Sequence, residues 1–238
     1  TFPSPISRRA EKITTNDGER DFRIKEEGMT SVFVFKTVAD PFVGKMSFFK
    51  VMNGTVRRDQ VLYNLTTGQS EKMAHIYLLR GKKQTEVDEI LTGDIGMTAK
   101  LAATNTNDTL SSDPNGKMYK KIVYPESYMQ MAIAPKAKGD EDKISSGIAK
   151  LLEEDRTLRF ENNAETKQLL IAGQGDIHLD VVVSKLKNRF GTAVELTVPK
   201  IAYRETIKRK VNAEGKHKKQ SGGHGQYGHV KISFEPGE

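Results

Sequence analysis

Short apolar runs separated by turn residues fill the first half of the chain. Val32–Phe35 and Met46–Val51 are β-rich, and the Asn53-Gly54 pair is typical of a tight hairpin, where both central residues need positive φ. Further short runs of the same kind are Val61–Tyr63, Met73–Tyr77 and Ile95–Leu101. Several strands at this spacing, with no helical pattern between them, predict a closed antiparallel β-barrel over residues 29–124.

The hydrophobic pattern changes after the turn at Asp113–Gly116. Met129–Ile133 alternates as a strand, and Pro135 ends it. Helical spacing then follows twice, in a segment after Asp140 and in a segment from Asp176 to Phe190, with two short strands between them and one after. The order β-α-β-β-α-β predicts a ferredoxin-like split βαβ domain over residues 125–198. Asp176 is expected to cap the second helix, and Gly191 to end it.

The two ends of the chain lack a complete pattern of their own. Residues 1–28 are polar and carry prolines, which indicates a linker from a preceding domain. Residues 199–238 contain a predicted strand from Tyr203 to Val211, a basic glycine-rich segment and a strand at Val230–Phe234. Forty residues seldom fold alone, so we interpret them as the beginning of an α+β domain.

Composition excludes several classes of protein. The chain has 238 residues and no cysteine, which removes disulfides, thiolate nucleophiles and cysteine-ligated zinc. No apolar run approaches the ~18 residues of a membrane span, and the first residues do not form a signal segment. We therefore expect a soluble, cytoplasmic protein with no membrane partner. The formal net charge is +7, and residues 199–238 hold nine basic and four acidic side chains, which favours a polyanionic partner.

No catalytic, cofactor or metal site emerges from the motifs. A P-loop sequence is absent. Gly223–Gly228 matches G-x-G-x-x-G, but a basic segment precedes it and a strand follows, so we reject dinucleotide binding there. Gly173–His178 follows a strand and opens a helix, yet His178 replaces the third glycine, and a tight turn explains it better. His217, His224 and His229 are close in sequence but lack a carboxylate second shell, so we interpret them as surface histidines.

The remaining candidate is the basic glycine-rich segment. Lysines make salt-sensitive phosphate contacts, glycines allow backbone N–H groups to approach phosphate or ribose, and glutamine and tyrosine offer hydrogen bonds and a stacking ring. The candidate RNA-binding residues are Lys218, Lys219, Gln220, Ser221, Gly222, Gly223, His224, Gly225, Gln226, Tyr227 and Gly228. A solvated turn with no ligand is the alternative interpretation of the same residues.

The run Gln220–Val230 resembles the beginning of domain IV of bacterial elongation factor G, the translocation GTPase. Other stretches agree with that family in order along the chain. They are Pro3–Pro5 at the exit from the GTPase domain, Ala39–Lys45, Phe48-Phe49, Gly54-Thr55, Gly93–Ile95 and Asp108–Leu110 in domain II, Leu152–Asp155, Gly173–Leu179 and Phe190-Gly191 in domain III, and Ala202–Thr206 at the start of domain IV.

The resemblance implies a function for each part. The barrel is expected to dock on small-subunit ribosomal RNA, domain III to couple the GTPase domain to the rest of the factor, and the glycine-rich loop to reach the tRNA–mRNA pair in the decoding region. His224 stands where the family usually has arginine, so one permanent charge is replaced by a group that is mostly neutral near pH 7. GTP and Mg²⁺ are expected in a GTPase domain outside this chain, which is therefore not itself expected to be an enzyme.

Three functions remain open from the sequence. The first is a piece of a translocase. The second is a ribosome-recycling paralogue or a ribosomal protection factor of the same architecture. The third is a separate RNA-binding module without a role in translation, which would bind arbitrary RNA in a salt-sensitive way.

Overall fold

A computed structural model describes residue 7 and residues 10–15, 18–40, 43–81, 83–137 and 139–237. The chain divides into two compact units, Thr1–Pro199 and Lys200–Glu238. The family-like stretch Pro3–Pro5 and residues 41–42 of the stretch Ala39–Lys45 lie outside the described residues. None of the helices in the described part of the chain is long and apolar enough to cross a membrane.

The first part of the larger unit consists of strands. In chain order they are β1 (Glu11–Thr15), β2 (Gly18–Phe22), β3 (Ser31–Asp40), β4 (Gly44–Asn53), β5 (Val56–Arg57), β6 (Gln60–Asn64), β7 (Ser70–Met73), β8 (Ile76–Arg80), β9 (Lys83–Val87), β10 (Glu89–Ile90), β11 (Ile95–Ala99), β12 (Thr109–Ser111) and β13 (Met118–Tyr119). Eight of them form one antiparallel sheet in the order β7-β6-β12-β3-β4-β11-β8-β9, and β5 pairs with β10 separately.

The eight-stranded sheet curls around one apolar cluster. Alternate residues of β3 and β4 point inward, and Val34, Phe49 and Leu110 are fully buried there. This confirms the predicted antiparallel architecture, in the form of a curled sheet or half-barrel. Among the described residues the edge strands β7 and β9 form no ladder with each other, so the sheet is curled rather than fully hydrogen-bonded into a closed barrel.

One predicted strand is divided in the structure. Met73–Tyr77 was expected to be continuous, but β7 ends at Met73 and β8 begins at Ile76. Met73 pairs with Gln60 near one edge of the sheet, whereas Ile76 pairs with Val87 near the other. The two intervening residues therefore carry the chain between the edges of the curled sheet, which a continuous strand would not do.

The segment predicted as a linker contains a hairpin, which its sequence pattern does not indicate. Strands β1 and β2 pair with each other, and β1 also pairs with β13. Ile13 and Tyr119 are buried together with Met52 in a separate small cluster. A five-residue strand with one buried apolar side chain gives too little periodicity to be recognised from the sequence, and its stability depends on a strand more than a hundred residues away.

The second part of the larger unit has the predicted ferredoxin-like order. Its elements are β14 (Met129–Pro135), α1 (Glu141–Glu154), β15 (Arg159–Asn163), β16 (Gln168–Gly173), α2 (Asp176–Phe190) and β17 (Val194–Thr197). The sheet order is β15-β16-β14-β17, antiparallel throughout. Both helices bury one face against this sheet, with Ile148, Leu151 and Leu186 at the centre of the cluster.

The sequence predicts the C-terminal end of α2 correctly but not its N-terminal cap. Gly191 has φ 67°, a left-handed conformation that glycine adopts readily, and it ends the helix as predicted. The predicted cap at Asp176 is wrong. Gly175 is the N-cap, no side chain caps the helix, and Asp176 is its first residue, where its Oδ1 accepts a hydrogen bond from the N–H of Ile177 at 2.8 Å.

The smaller unit is a single β-hairpin of β18 (Val211–Lys219) and β19 (Gln226–Phe234). The predicted strand at Tyr203–Val211 is wrong, because residues 201–207 are irregular and the basic segment itself forms β18. Every described residue from Ile201 to Gly237 is exposed. Apolar alternation therefore does not mark this strand, which is defined by its pairing with β19.

Candidate nucleic-acid interface

The hairpin register concentrates basic residues at one end of the smaller unit. Lys216 lies opposite His229, Lys218 opposite Tyr227, and Lys219 opposite Gln226. Successive side chains on a strand point to opposite faces. Lys216 and Lys218 therefore share one face with Tyr227, while Lys219 shares the other face with Gln226. The end of the hairpin carries positive charge on both faces.

The face that carries Tyr227 is polar along its whole length. The Nζ of Lys216 lies 6.0 Å from the centre of the Tyr227 ring, within the range of a cation–π contact. Further from the tip, Glu214 Oε1 lies 2.5 Å from His229 Nε2, and the other oxygen of Glu214 lies 3.7 Å from the Nζ of Lys231. These cross-strand contacts hold the polar side chains in register without burying them.

The opposite face changes character along the hairpin. Near its base it presents Val211, Val230, Ile232 and Phe234, each between 41% and 54% exposed. Towards the tip it becomes polar, with a contact of 3.4 Å between His217 Nε2 and Gln226 Oε1. The apolar and polar chemistries are thus separated along the strands, and the polar end is the one that carries the candidate residues.

Two glycines shape the loop between the strands. Gly222 has φ 81° and Gly223 has φ 70°, backbone conformations that other residues adopt only at a cost of roughly 1–2 kcal/mol each. No atom lies within 4 Å of the position that a Cβ would take at either residue. The loop therefore turns sharply, and the space beside these two glycines is open.

All of the candidate residues predicted from the sequence lie at this end of the hairpin. Lys218 and Lys219 end β18, residues 220–225 form the loop, and Gln226, Tyr227 and Gly228 begin β19. Lys216 belongs to the same basic segment but is not among the named candidate residues, although it contacts the ring of Tyr227. The alternation of side chains along a strand identifies it, but only after the basic segment is recognised as a strand.

The two glycine motifs have different structures. Gly223–Gly228 runs from the loop into strand β19, with no helix after it. Gly173–His178 joins β16 to α2, where His178 Nδ1 accepts a hydrogen bond from the N–H of Gln174 at 3.0 Å, and its Nε2 lies 2.9 Å from Asp155 Oδ2. His178 therefore joins the backbone of the turn to Asp155, at the end of α1.

The carboxylate of Asp155 is stabilised by this arrangement. Burial by itself would raise its pKa, but hydrogen bonds from the side chain and backbone of Thr157 and from His178 outweigh burial and lower the pKa below its ordinary value. The pair joins the end of α1 to the first turn of α2. Sequence reasoning treated His178 only as a missing glycine, and the separation of 23 residues gave no signal of its pairing.

No group of three or more His, Cys, Asp or Glu side chains suited to a metal ion occurs in the described ranges of the chain. His229 is instead in contact with Glu214, across the hairpin. The residues present offer no P-loop for a nucleotide either.

Three family models match consecutive parts of the chain. Elongation factor G domain 2 matches residues 29–113, Elongation Factor G, domain III matches residues 124–198, and Elongation factor G, domain IV matches residues 199–238. The chain is also similar to a crystal structure of a protein from Thermus thermophilus, with a TM-score of 0.72 and 33% identity over 88% of this chain. The match spans 32% of the Thermus chain, so these residues correspond to about a third of that protein.

The order of the matches follows the order of the barrel, the ferredoxin-like domain and the hairpin. None of these three domains is the GTPase domain, in agreement with the lack of a P-loop sequence. The chain belongs to the elongation factor G family of translation factors and contains residues of its domains II, III and IV.

Proposed function

We propose that this chain is part of a factor that moves tRNA and mRNA through the ribosome, and that the tip of its β18–β19 hairpin contacts RNA in the decoding region. The observation that supports the proposal most strongly is the basic, glycine-turned end of the hairpin. Lys216, Lys218 and Lys219 lie around a loop whose backbone is open to solvent. Such an end presents charges to phosphates and an aromatic ring to a base.

The other domains take the roles that the family suggests. Under this proposal the barrel docks on small-subunit ribosomal RNA and protein, and domain III couples the tip to a GTPase domain elsewhere in the full-length protein. Under the same proposal, that domain binds GTP and Mg²⁺, as the family resemblance implies. The factor acts in the cytoplasm, where ribosomes translate.

The test uses the full-length factor with Lys218→Ala and Lys219→Ala. Loss of two phosphate contacts is expected to slow single-turnover translocation by about tenfold or more, while ribosome-stimulated GTP hydrolysis stays within about twofold. The matched control is Lys208→Ala with Arg209→Ala, which removes the same charge from exposed positions outside the hairpin. Equal loss of both activities in the tip variant, or equal slowing by the control, contradicts the proposal.

Two outcomes would favour the other functions. A full-length gene that fails to replace a translocase in a deletion strain, but restores subunit recycling or drug resistance, indicates a recycling or protection factor. Salt-sensitive binding to arbitrary RNA with no preference for ribosomes indicates a separate RNA-binding module. The sequence gives a reason to test these alternatives, because His224 stands where the family usually has arginine.

A further inference from the structure

The sequence contains two Asn-Gly pairs, Asn53-Gly54 and Asn115-Gly116. An asparagine followed by glycine is open to an internal reaction, in which the next backbone nitrogen attacks the side-chain carbonyl. Glycine has no Cβ, so it neither blocks the attacking nitrogen nor restricts the backbone rotation that brings the two groups together. The structure places the two pairs in different surroundings, and this difference determines which asparagine reacts.

The first pair is held at all of its reacting groups. Asn53 is only 6% exposed. Its Oδ1 accepts a hydrogen bond from the N–H of Lys25 at 2.9 Å, and its Nδ2 donates to the carbonyl of Met29 at 2.7 Å. The N–H of Gly54 donates to the carbonyl of Lys25 at 3.1 Å. Burial and these three bonds therefore keep the amide of Asn53 and the nitrogen of Gly54 from reacting.

The second pair lies in the turn between β12 and β13, and Asn115 is exposed. The backbone N–H of Asn115 donates to Asp113 Oδ1 at 2.9 Å, but among the described residues no hydrogen bond holds its side-chain amide. The N–H of Gly116 donates to the carbonyl of Asp113 at 3.0 Å, which closes a surface turn. Surface turns open at a low free energy, so the nitrogen of Gly116 is repeatedly released beside an amide that nothing holds.

The fold itself requires the glycine at position 116. A Cβ on Gly116 would lie 2.7 Å from Ser111 Oγ and 3.0 Å from the carbonyl oxygen of Asp113, so a larger residue would push the turn away from β12. Proline at the second position of a turn and glycine at the fourth, as in Asp113–Gly116, are also favoured in type I turns. The turn therefore keeps the residue that makes Asn115 reactive.

The reaction needs water as its only co-reactant. Gly116 loses its amide proton to hydroxide, and its nitrogen attacks Cγ of Asn115, which forms a C–N bond and closes a cyclic imide. The bond from Cγ to Nδ2 breaks, and Nδ2 leaves as ammonia after taking a proton from water. Water then opens the ring. Breaking the bond to the side-chain carbonyl gives aspartate, and breaking the bond to the backbone carbonyl gives isoaspartate.

Isoaspartate changes the chain more than aspartate does. Both products add a negative charge at position 115, but in isoaspartate the backbone runs through the side-chain carbonyl and gains one carbon atom. That atom lies shortly before β13, where the N–H of Lys120 donates to the carbonyl of Lys12 at 3.0 Å and Tyr119 is only 5% exposed. We therefore expect the longer turn to loosen the pairing of β13 with β1.

We propose that Asn115 is a site of spontaneous deamidation, at which the nitrogen of Gly116 converts the amide to aspartate and isoaspartate, and that the contacts of Asn53 protect the other pair. Isoaspartate at this site loosens the ladder between β13 and β1, while the apolar clusters of both domains stay intact. The modified residue is a substrate for the class of enzymes that methylate isoaspartyl carboxylates. This property goes beyond the proposed RNA contact and is independent of it.

The first test follows both asparagines in the purified whole chain. Samples are kept folded, or unfolded in guanidinium chloride, at neutral and mildly alkaline pH, and their peptides are analysed by mass spectrometry. In the folded chain we expect Asn115 to gain the mass of an amide-to-acid conversion at least about tenfold faster than Asn53, and faster at the higher pH. In the unfolded chain the two rates should agree within about threefold, because the contacts that distinguish the pairs are lost.

A folded chain in which Asn53 reacts as fast as Asn115 would overturn the site. An Asn115 that stays intact in the folded chain, while the unfolded chain reacts, would overturn it as well. Asn115→Ser is the matched control, because it keeps a short polar side chain in the turn but has no amide. Methylation by an isoaspartyl methyltransferase with labelled S-adenosylmethionine should disappear in this variant, and undiminished methylation would contradict the proposal.

The second test separates the added charge from the longer backbone. Asn115→Asp carries the charge without the extra carbon atom. We expect amide exchange at Lys120 to be at least about threefold faster in the isoaspartate fraction of aged protein than in the parent chain, with Asn115→Asp unchanged. Equal exchange in all three proteins, or equally fast exchange in Asn115→Asp, would overturn the assigned effect of the longer turn on β13.

Discussion

The barrel and the hairpin use phenylalanine in opposite ways. Phe49 in β4 is fully buried in the apolar cluster of the barrel, whereas Phe234 in β19 is 45% exposed in a hairpin with no buried described residue. Two strands alone are marginally stable in water. Buried apolar clusters therefore stabilise domains II and III. The hairpin has only exposed side chains and depends on the hydrogen bonds between its two strands.

Replacing a phenylalanine by alanine in each region should give the largest difference in the free energy of unfolding. We expect Phe49→Ala to lower the free energy of unfolding of the barrel by about 3–5 kcal/mol, because it leaves a large cavity. Phe234→Ala should change it by no more than about 0.5 kcal/mol. Urea unfolding of the whole chain measures both. Similar losses for the two variants would show that the hairpin shares the core of the barrel.

Acid should weaken domain III through the residues at the end of α1. The pKa values of Glu154 and Asp155 lie below their ordinary values of 4.5 and 3.8. A lowered folded pKa stabilises the protein above the unfolded pKa, and this stability disappears as the pH falls through the folded pKa. Asp155→Asn should therefore flatten the loss of stability below about pH 4 by on the order of 1 kcal/mol after solvent screening.

Thermal unfolding measured between neutral pH and the acid limb checks this expectation. Asp180→Asn is the matched control, since it removes an exposed carboxylate from α2. An acid limb as steep in Asp155→Asn as in the parent chain would mean that the hydrogen-bonded carboxylate of Asp155 does not contribute to stability.

The smallest effect is expected at the tip of the hairpin. Gly222→Ala places a side chain at φ 81° and should loosen the local ladder by about 1 kcal/mol, seen as amide exchange at Lys218 about fivefold faster, with little change in the unfolding of either core. Gly228→Ala is the control, because its strand position has open space for a Cβ. Exchange accelerated equally by both variants would contradict the special role of the loop conformation.

The elements that are easiest to predict from sequence are those with an apolar face. The segment Asp176–Phe190 is a helix with the predicted bounds, because its buried side chains recur at helical spacing and Gly191 stops it. The order of strands in domain III follows for the same reason. The spacing of apolar residues is sufficient to predict an element that buries one face and packs against elements close to it in sequence.

Prediction fails where long-range pairing determines the structure. The strand at Val211–Lys219 has no buried side, so its basic residues were interpreted as a loop. The hairpin before residue 29 depends on β13, and the pair of Asp155 with His178 joins the ends of two helices. The chemistry of the basic segment indicates the candidate tip residues, whereas the contact of Lys216 with Tyr227 follows only from the strand register.

The most direct test of the account is the position of the hairpin tip on the ribosome. A full-length factor with Ser221→Cys as its only cysteine, carrying tethered iron, generates hydroxyl radicals at the loop. We predict cleavage of small-subunit ribosomal RNA in the decoding region, and no such cleavage from iron tethered at Gln69→Cys in the barrel. Absence of decoding-region cleavage from Ser221→Cys, in a factor that still binds ribosomes, would contradict the proposed role of the tip.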